Sequence, residues 1–122
     1  MLDALKTYLS AQGFENVYID FMPDAGTTYA VGLFEWNSPC SQVAGEVTHY
    51  VQIQVRRGNY DSAKADCKRI LELLDSGTEE RLLQLDENTT AVIKVRRSTL
   101  LLERGEGYTT FSGEIAVWIN GE

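Results

Sequence analysis

One histidine and two cysteines have the widest chemical repertoire in this sequence. Any Ser-His, Cys-His or multi-histidine metal arrangement would depend on His49, because no second histidine is present. His49 stands on the apolar side of an alternating segment, which favours a hydrogen-bonded structural role over that of a general base, since a base must be reachable by substrate. Cys67 shares an apolar helical stripe, which favours an inert buried thiol. Cys40 follows a proline in a polar loop, and there it could be an exposed reactive thiol without a partner.

Acidic pairs and a glycine-rich turn offer further candidates for chemistry. Glu79 with Glu80, and Asp20 with Asp24, could do acid-base work if burial separated the two pKa values within each pair. Each pair lies next to a turn, where carboxylates are usually solvated. The turn at residues 105–107 lacks the third glycine and the Lys and Ser/Thr of a phosphate-binding loop. The sequence therefore predicts no catalytic, cofactor-binding or metal-binding residues, and a protein that is not an enzyme.

Basic residues cluster at the ends of two predicted strands. Arg56 and Arg57 end one strand, and Arg96 and Arg97 end the other. The two clusters could converge in space, or they could simply protect the edge of a sheet. The chain has 11 basic and 18 acidic residues and a net charge of −7, so a second copy offers more carboxylates than a phosphate backbone could safely approach. We expect these arginines to pair with acidic residues of a neighbouring subunit rather than with DNA.

Length and composition place the chain among single globular domains. It has 122 residues, of which 43% are hydrophobic and 24% charged, and a chain of this length needs one core. No apolar run reaches the 18 residues of a membrane span. The N-terminal segment has Asp3 where a secretory signal would be basic, so we interpret it as the first helix of the mature protein. The cysteine spacing suggests no disulfide framework and fits a reducing compartment such as the cytoplasm.

Hydrophobic periodicity predicts the elements that position these residues. Helices are predicted at about 2–12 and from Asn59 to about Leu74; strands are predicted at 16–21, 29–36, 47–55, 90–97, 99–104 and 109–119. The segment 81–85 fits either a strand or an irregular connection. We expect Gly113 to introduce a kink or a bulge in the last strand. The order of elements predicts an α+β fold, with residues 1–122 as a single domain in which two helices pack on a mainly antiparallel or mixed sheet of four to six strands.

The strand at 29–36 is apolar on both faces, which suits a central strand or a face that meets a partner. Its residues Tyr29, Phe34 and Trp36, together with Trp118, are candidate interface residues, because aromatic side chains dominate interface energetics. Ordinary core packing explains each of them equally well when it is taken singly. The polar loop at 37–46 is expected to be mobile in the isolated protein and to become ordered on assembly.

Two stretches carry a resemblance to a known family. The first is V-Q-I-Q-V-R-R-G-N-Y-D (51–61), which leads into a helix, and the second is L-L-L-E-R-G-E-G-Y-T-T-F-S-G-E-I-A-V-W (100–118). Together with the length and the element order, they resemble the tail-terminator and minor capsid proteins of long-tailed bacteriophages. In that family a strand ending in glycine and an aromatic-Asp pair opens the second helix, and a hairpin closes the chain.

The resemblance implies a structural protein of the virion, assembled in the host cytoplasm, that forms a homo-oligomeric hexameric ring. Such a ring sits at the head-proximal end of the tail tube, terminates tube polymerisation and provides the head-tail joining surface. The implied partners are other copies of the chain, the tail tube protein, which could also pair with the strand-end arginines, and the head-tail connector protein. No membrane, cofactor or specific nucleic-acid binding is implied, although DNA can pass through the ring. The alternatives are another connector component, such as a head-completion or tail-tube protein, and a small enzyme of unrecognised type.

Overall fold

The computed structural model describes residues 1–24, 26–36 and 48–120 and has an α+β fold. The elements in chain order are α1 (Leu2–Ala11), β1 (Val17–Ile19), β2 (Ala30–Trp36), β3 (Thr48–Arg57), α2 (Tyr60–Leu74), β4 (Leu83–Asp86), β5 (Thr89–Gly105) and β6 (Tyr108–Asn120). The six strands form one sheet in the order β1-β2-β3-β6-β5-β4. β1 runs parallel to β2, and the other neighbouring strands are antiparallel. The predicted fold class, two helices on a mixed sheet of up to six strands, is confirmed.

Local sequence signals set the limits of both helices. The Asn59 side chain accepts a hydrogen bond of 2.8 Å from the backbone N–H of Ser62, which satisfies a free donor in the first turn of α2. Gly13, with a φ of 96°, reverses the chain after α1, and the Phe14 N–H then donates to the carbonyl of Leu9 at 3.0 Å. Neither of the helices in the described ranges is long and apolar enough to cross a membrane.

Both helices pack on the same face of the sheet. The strand residues of that face are fully buried beneath the helices: Val31, Leu33, Val51, Ile53, Val55, Ile115 and Val117. The alternate residues of the same strands point to the opposite face, and many of them are only partly buried, among them Phe34, Tyr50, Gln52, Gln54 and Glu114. No helix of the described residues covers this second face, which we call the helix-free face.

The C-terminal hairpin differs from the prediction in its first strand. β5 is one continuous strand of 17 residues instead of two strands at 90–97 and 99–104. Its pairing with β6 shifts register three times, between Val95 and Arg97, between Arg97 and Leu100, and between Leu101 and Glu103. The segment 81–85, for which the sequence allowed either a strand or an irregular connection, contributes its last three residues to β4. The predicted mobile loop at 37–46 lies outside the described residues.

Gly113 of β6 lies where α2 approaches the sheet closely. A Cβ atom at this position would lie 2.6 Å from Cδ1 of Leu71 and 3.2 Å from the carbonyl oxygen of Arg97. The register shift between Arg97 and Leu100 lies opposite Gly113, so the extra residues of the expected bulge are in β5 rather than in β6. The glycine is therefore needed because Leu71 fills the space of a side chain.

Replacing Gly113 with alanine is expected to destabilise the protein by about 1–3 kcal/mol, because Leu71 has to leave its position or the strand has to move. Urea unfolding followed by circular dichroism measures this loss. Gly58→Ala is the matched control, since the nearest atom to its added Cβ is 4.0 Å away, and a change of less than about 0.5 kcal/mol is expected there. Equal losses at the two positions would contradict the packing role of Gly113.

Candidate assembly surface

Aromatic side chains gather on the helix-free face. β2 and β3 place Trp36 opposite Tyr50, with their ring centroids 5.4 Å apart. Trp118 of β6 pairs with Thr48, so it is a diagonal neighbour of Tyr50 on the same face. Phe34 precedes Trp36 by two residues and continues the row. We call Phe34, Trp36, Tyr50 and Trp118 the aromatic patch.

Arg96 of β5 reaches across the sheet onto this patch. Its guanidinium carbon lies 4.4 Å from the ring centroid of Tyr50 and 5.8 Å from that of Trp36, which is within the range of cation–π attraction. β6 separates β5 from β3, and Ala116 of β6 pairs with Tyr50. The arginine therefore lies over Ala116, which agrees with the burial of that alanine. Arg96 itself remains exposed, so the patch combines aromatic rings with an accessible positive charge.

Two further cations of β5 lie beside the patch in weak ion pairs. Arg97 Nε is 3.8 Å from Oε2 of Glu114, and Lys94 Nζ is 3.3 Å from Oε1 of Glu80. Pairs this exposed contribute at most about 1 kcal/mol each, so both cations can exchange partners easily. Lys94 also borders an open groove of about 390 Å³ next to the patch. Among the described residues, this groove is lined by Glu80, Val92, Lys94 and Trp118.

Arg57 does not belong to this surface. Its side chain is 4% exposed, and its Nε donates to Oδ2 of Asp66 on α2 at 2.7 Å. The guanidinium also stacks on Tyr29, with 3.7 Å between its central carbon and the ring centroid. Arg57 thus ties the end of β3 to α2. Tyr29 is partly exposed, but it precedes β2 and lies at the opposite end of that strand from Trp36.

Arg56 is also held inside the chain. Its Nη1 donates to the carbonyl oxygens of Pro23 at 2.7 Å and of Asp24 at 3.0 Å, and the residue is buried. It pairs with Thr110 of β6, four residues from the partner of Arg97, which is roughly 13 Å along the strand. Separation contradicts the alternative that Arg56 and Arg57 converge with the β5 arginines, and burial corrects the expectation that they pair with a neighbouring subunit. Of the four predicted arginines, the structure brings only Arg96 and Arg97 to the patch.

The histidine and the described cysteine, which were the candidates for catalysis, lie apart from this surface or are buried. His49 donates from Nδ1 to Oε2 of Glu35 at 2.7 Å, which confirms the expected hydrogen bond. Its Nε2 is buried and has no hydrogen-bond partner among the described residues, so it is shielded from a substrate. Burial raises the pKa of the Cys67 thiol to about 11, which keeps it protonated and unreactive at neutral pH. Cys40 lies outside the described residues.

The acidic candidates are spread over the exposed surface. Asp20, Asp24, Glu79 and Glu80 are all exposed, so neither pair has the buried setting on which the acid-base interpretation depends. In the described ranges no group of three or more His, Cys, Asp or Glu side chains is placed to hold a metal ion. The aromatic patch with Arg96 is therefore the feature that most invites a functional explanation.

Tyr50 and Arg96 complete a surface that sequence reasoning assembled only in part. Phe34, Trp36 and Trp118 were expected as interface residues, and Tyr50 was missed. It alternates with Gln52 and Gln54 on the polar side of β3, and an aromatic residue in a polar row is the signal that could have identified it. No protein-family model matches the chain, and a search of the curated proteins finds no match either.

Proposed function

We propose that the protein forms a ring that caps the head-proximal end of a phage tail tube, stops tube polymerisation and provides the surface that joins tail to head. The observation that carries this proposal is the aromatic patch with Arg96 on the helix-free face. Exposed aromatic and arginine side chains are the residues most enriched at the energetic centres of interfaces. The resemblance of segments 51–61 and 100–118 to tail terminators supports the same function.

The two layers of the fold suit a protein that ends a polymer. A tube grows because each ring exposes a surface complementary to the next ring, a contact that repeats without closing along the tube axis. A terminator has to match that surface on one side and present a different surface on the other. This chain has an aromatic, cationic sheet face on one side and the charged exteriors of α1 and α2 on the other. We assign the tube contact to the aromatic patch and the head-side contact to the helices.

The partners of this function are other copies of the chain, the tail tube protein and a head-tail connector protein. The protein binds these partners and converts no substrate, so the function needs no catalytic residue and no cofactor. DNA passes through the ring without being read, in keeping with the net charge of −7. The protein acts in the virion after assembly in the host cytoplasm.

A deletion of the gene in the phage tests this function, with electron microscopy of the resulting particles. Over-long tails without heads are expected, because nothing stops the tube or joins it to a head. Supplying the wild-type gene in trans should restore normal virions. Tails of normal length without heads would instead assign the protein to head-tail joining, as a connector component. Normal tails on filled heads would refute the proposal.

A further inference from the structure

Within the described residues, the sheet has two edges that lack a strand partner over part or all of their length. β1 forms one of them, and no strand of the described residues pairs with its outer side. β5 forms most of the other, because β4 pairs with it only as far as Ala91. Ser76 then binds both the N–H and the carbonyl of Ile93. From residue 95 to residue 104 the outer edge of β5 has no strand partner in the described part of the chain.

The middle of the open part of β5, between Arg97 and Glu103, is unusually apolar for a strand edge. Leu100, Leu101 and Leu102 are consecutive and are 55%, 43% and 46% exposed. Edge strands usually carry charges or prolines that prevent pairing with other chains. A long edge with exposed leucines is instead a template on which another strand can add. Near the other edge, Phe21 follows β1 and is 53% exposed.

The two edges also carry opposite charge. The open part of β5, residues 95–104, holds three of the 11 basic residues and one acidic residue, a net charge of +2. Segment 15–24, which contains β1, holds three acidic residues and no basic one, a net charge of −3. The chain as a whole is acidic, so a positive edge is a local feature and not a result of composition. Each edge therefore combines exposed apolar side chains with a net charge, and the two charges have opposite sign.

We propose that the β5 edge of one copy binds the β1 edge of a second copy, so that the sheet continues from subunit to subunit. The contact is heterologous: every added copy leaves one edge of each kind free, and the chain of subunits ends when the ring closes. Because β1 has three residues, few backbone hydrogen bonds form, and the leucines, Phe21 and the charges supply most of the contact. Pairing of two β5 edges would bring two charges of +2 together and would stop at a dimer.

This inference rests on the proposed ring and adds which surfaces join its subunits. Two double variants test it, each with one damaged edge. Leu100→Glu with Leu102→Glu damages the β5 edge, and Glu15→Lys with Phe21→Lys damages the β1 edge. All four side chains are exposed, so circular dichroism should show native folding. Ala11→Glu with Ala65→Glu, which adds the same two negative charges as the β5 variant but on exposed positions of the helices, is the control and should assemble like the wild type.

Analytical ultracentrifugation and native mass spectrometry give the readout. The wild type should form rings, and each double variant alone should be monomeric, with assembly shifted to at least about tenfold higher concentration. At high salt, which screens the attraction between the introduced Glu and Lys side chains, an equimolar mixture of the two variants should form a dimer with one copy of each and nothing larger, because only one intact pair of edges remains.

Three results would overturn the proposal. Dimers of the Glu15→Lys/Phe21→Lys variant alone would show β5-to-β5 pairing. Rings formed by both variants would show that other surfaces join the subunits. A wild-type protein that stays monomeric up to a concentration of about 100 μM would show that the edges do not bind each other, since even modest contacts of this kind associate at micromolar concentration. Tail length in the deletion phage is measured independently, so the ring-capping function and this edge contact can fail separately.

Discussion

Replacing Asp66 with alanine is expected to destabilise the protein by about 3 kcal/mol, because Arg57 is then left as a buried charge without its acidic partner. The Arg57 side chain is almost fully enclosed, and its Nε donates to the Asp66 carboxylate at 2.7 Å. Its Nη2 is already buried without a hydrogen-bond partner in the described ranges. An arginine side chain stays protonated in proteins, so Arg57 cannot escape by losing its proton. The partial exposure of Asp66 lets water enter and sets the loss at the lower end of the range for buried pairs.

Urea unfolding at neutral pH measures this effect. Glu72→Ala is the control on the same helix, because Glu72 is exposed, and its effect should stay within about 0.5 kcal/mol. The double variant Arg57→Met with Asp66→Leu should lose less than the sum of its single changes, since no unpaired charge remains. A loss below about 1 kcal/mol for Asp66→Ala would mean that Arg57 reaches water or another partner.

Local patterns in the sequence predicted most of the fold. The alternation of β3 and the helical stripe of α2 each depend on neighbouring residues, and both were confirmed. Pairing between distant strands decided the rest. Ser98 looks like a break between two strands, but Ser98 and Thr99 lie in a register shift of one strand, opposite Gly113. No local pattern shows that a strand fifteen residues later needs such a bulge.

The arginines show a limit of the same kind. At the end of a strand both Arg56 and Arg57 looked exposed, whereas their partners come from residues that only the fold brings near. Arg57 continues the alternation of Ile53 and Val55. A residue in that position of the alternation points to the face that the helices cover. The contact of Arg96 with Tyr50 spans three strands. Predicting it required knowledge of the strand order, which local sequence patterns do not show.

A Trp36→Ala variant is expected to need at least about 30-fold more protein to cap tail tubes, while folding normally. Trp36 is 40% exposed and has Tyr50 and Arg96 beside its ring, so its indole is held in place before binding and loses little freedom on contact. Truncation of such an aromatic anchor typically costs about 2–4 kcal/mol of binding, which corresponds to about 30-fold to 1000-fold in affinity. The ring lies on the helix-free face outside the buried core, so the free energy of unfolding should fall by less than about 1 kcal/mol.

The assay is polymerisation of the tail tube protein of the same phage, with tube length measured by electron microscopy as a function of added protein. Leu82→Ala is the matched control: Leu82 is 53% exposed but is not part of the patch, so its removal deletes exposed apolar surface without touching the aromatic rings. Arg96→Glu should weaken capping in a salt-dependent way, because it removes the cation that lies over Tyr50 and Trp36 and places a negative charge beside them. If the Trp36→Ala variant limits tube length at the same concentration as the wild-type protein does, the tube does not bind the aromatic patch. The tube contact then has to lie on the helix side of the ring.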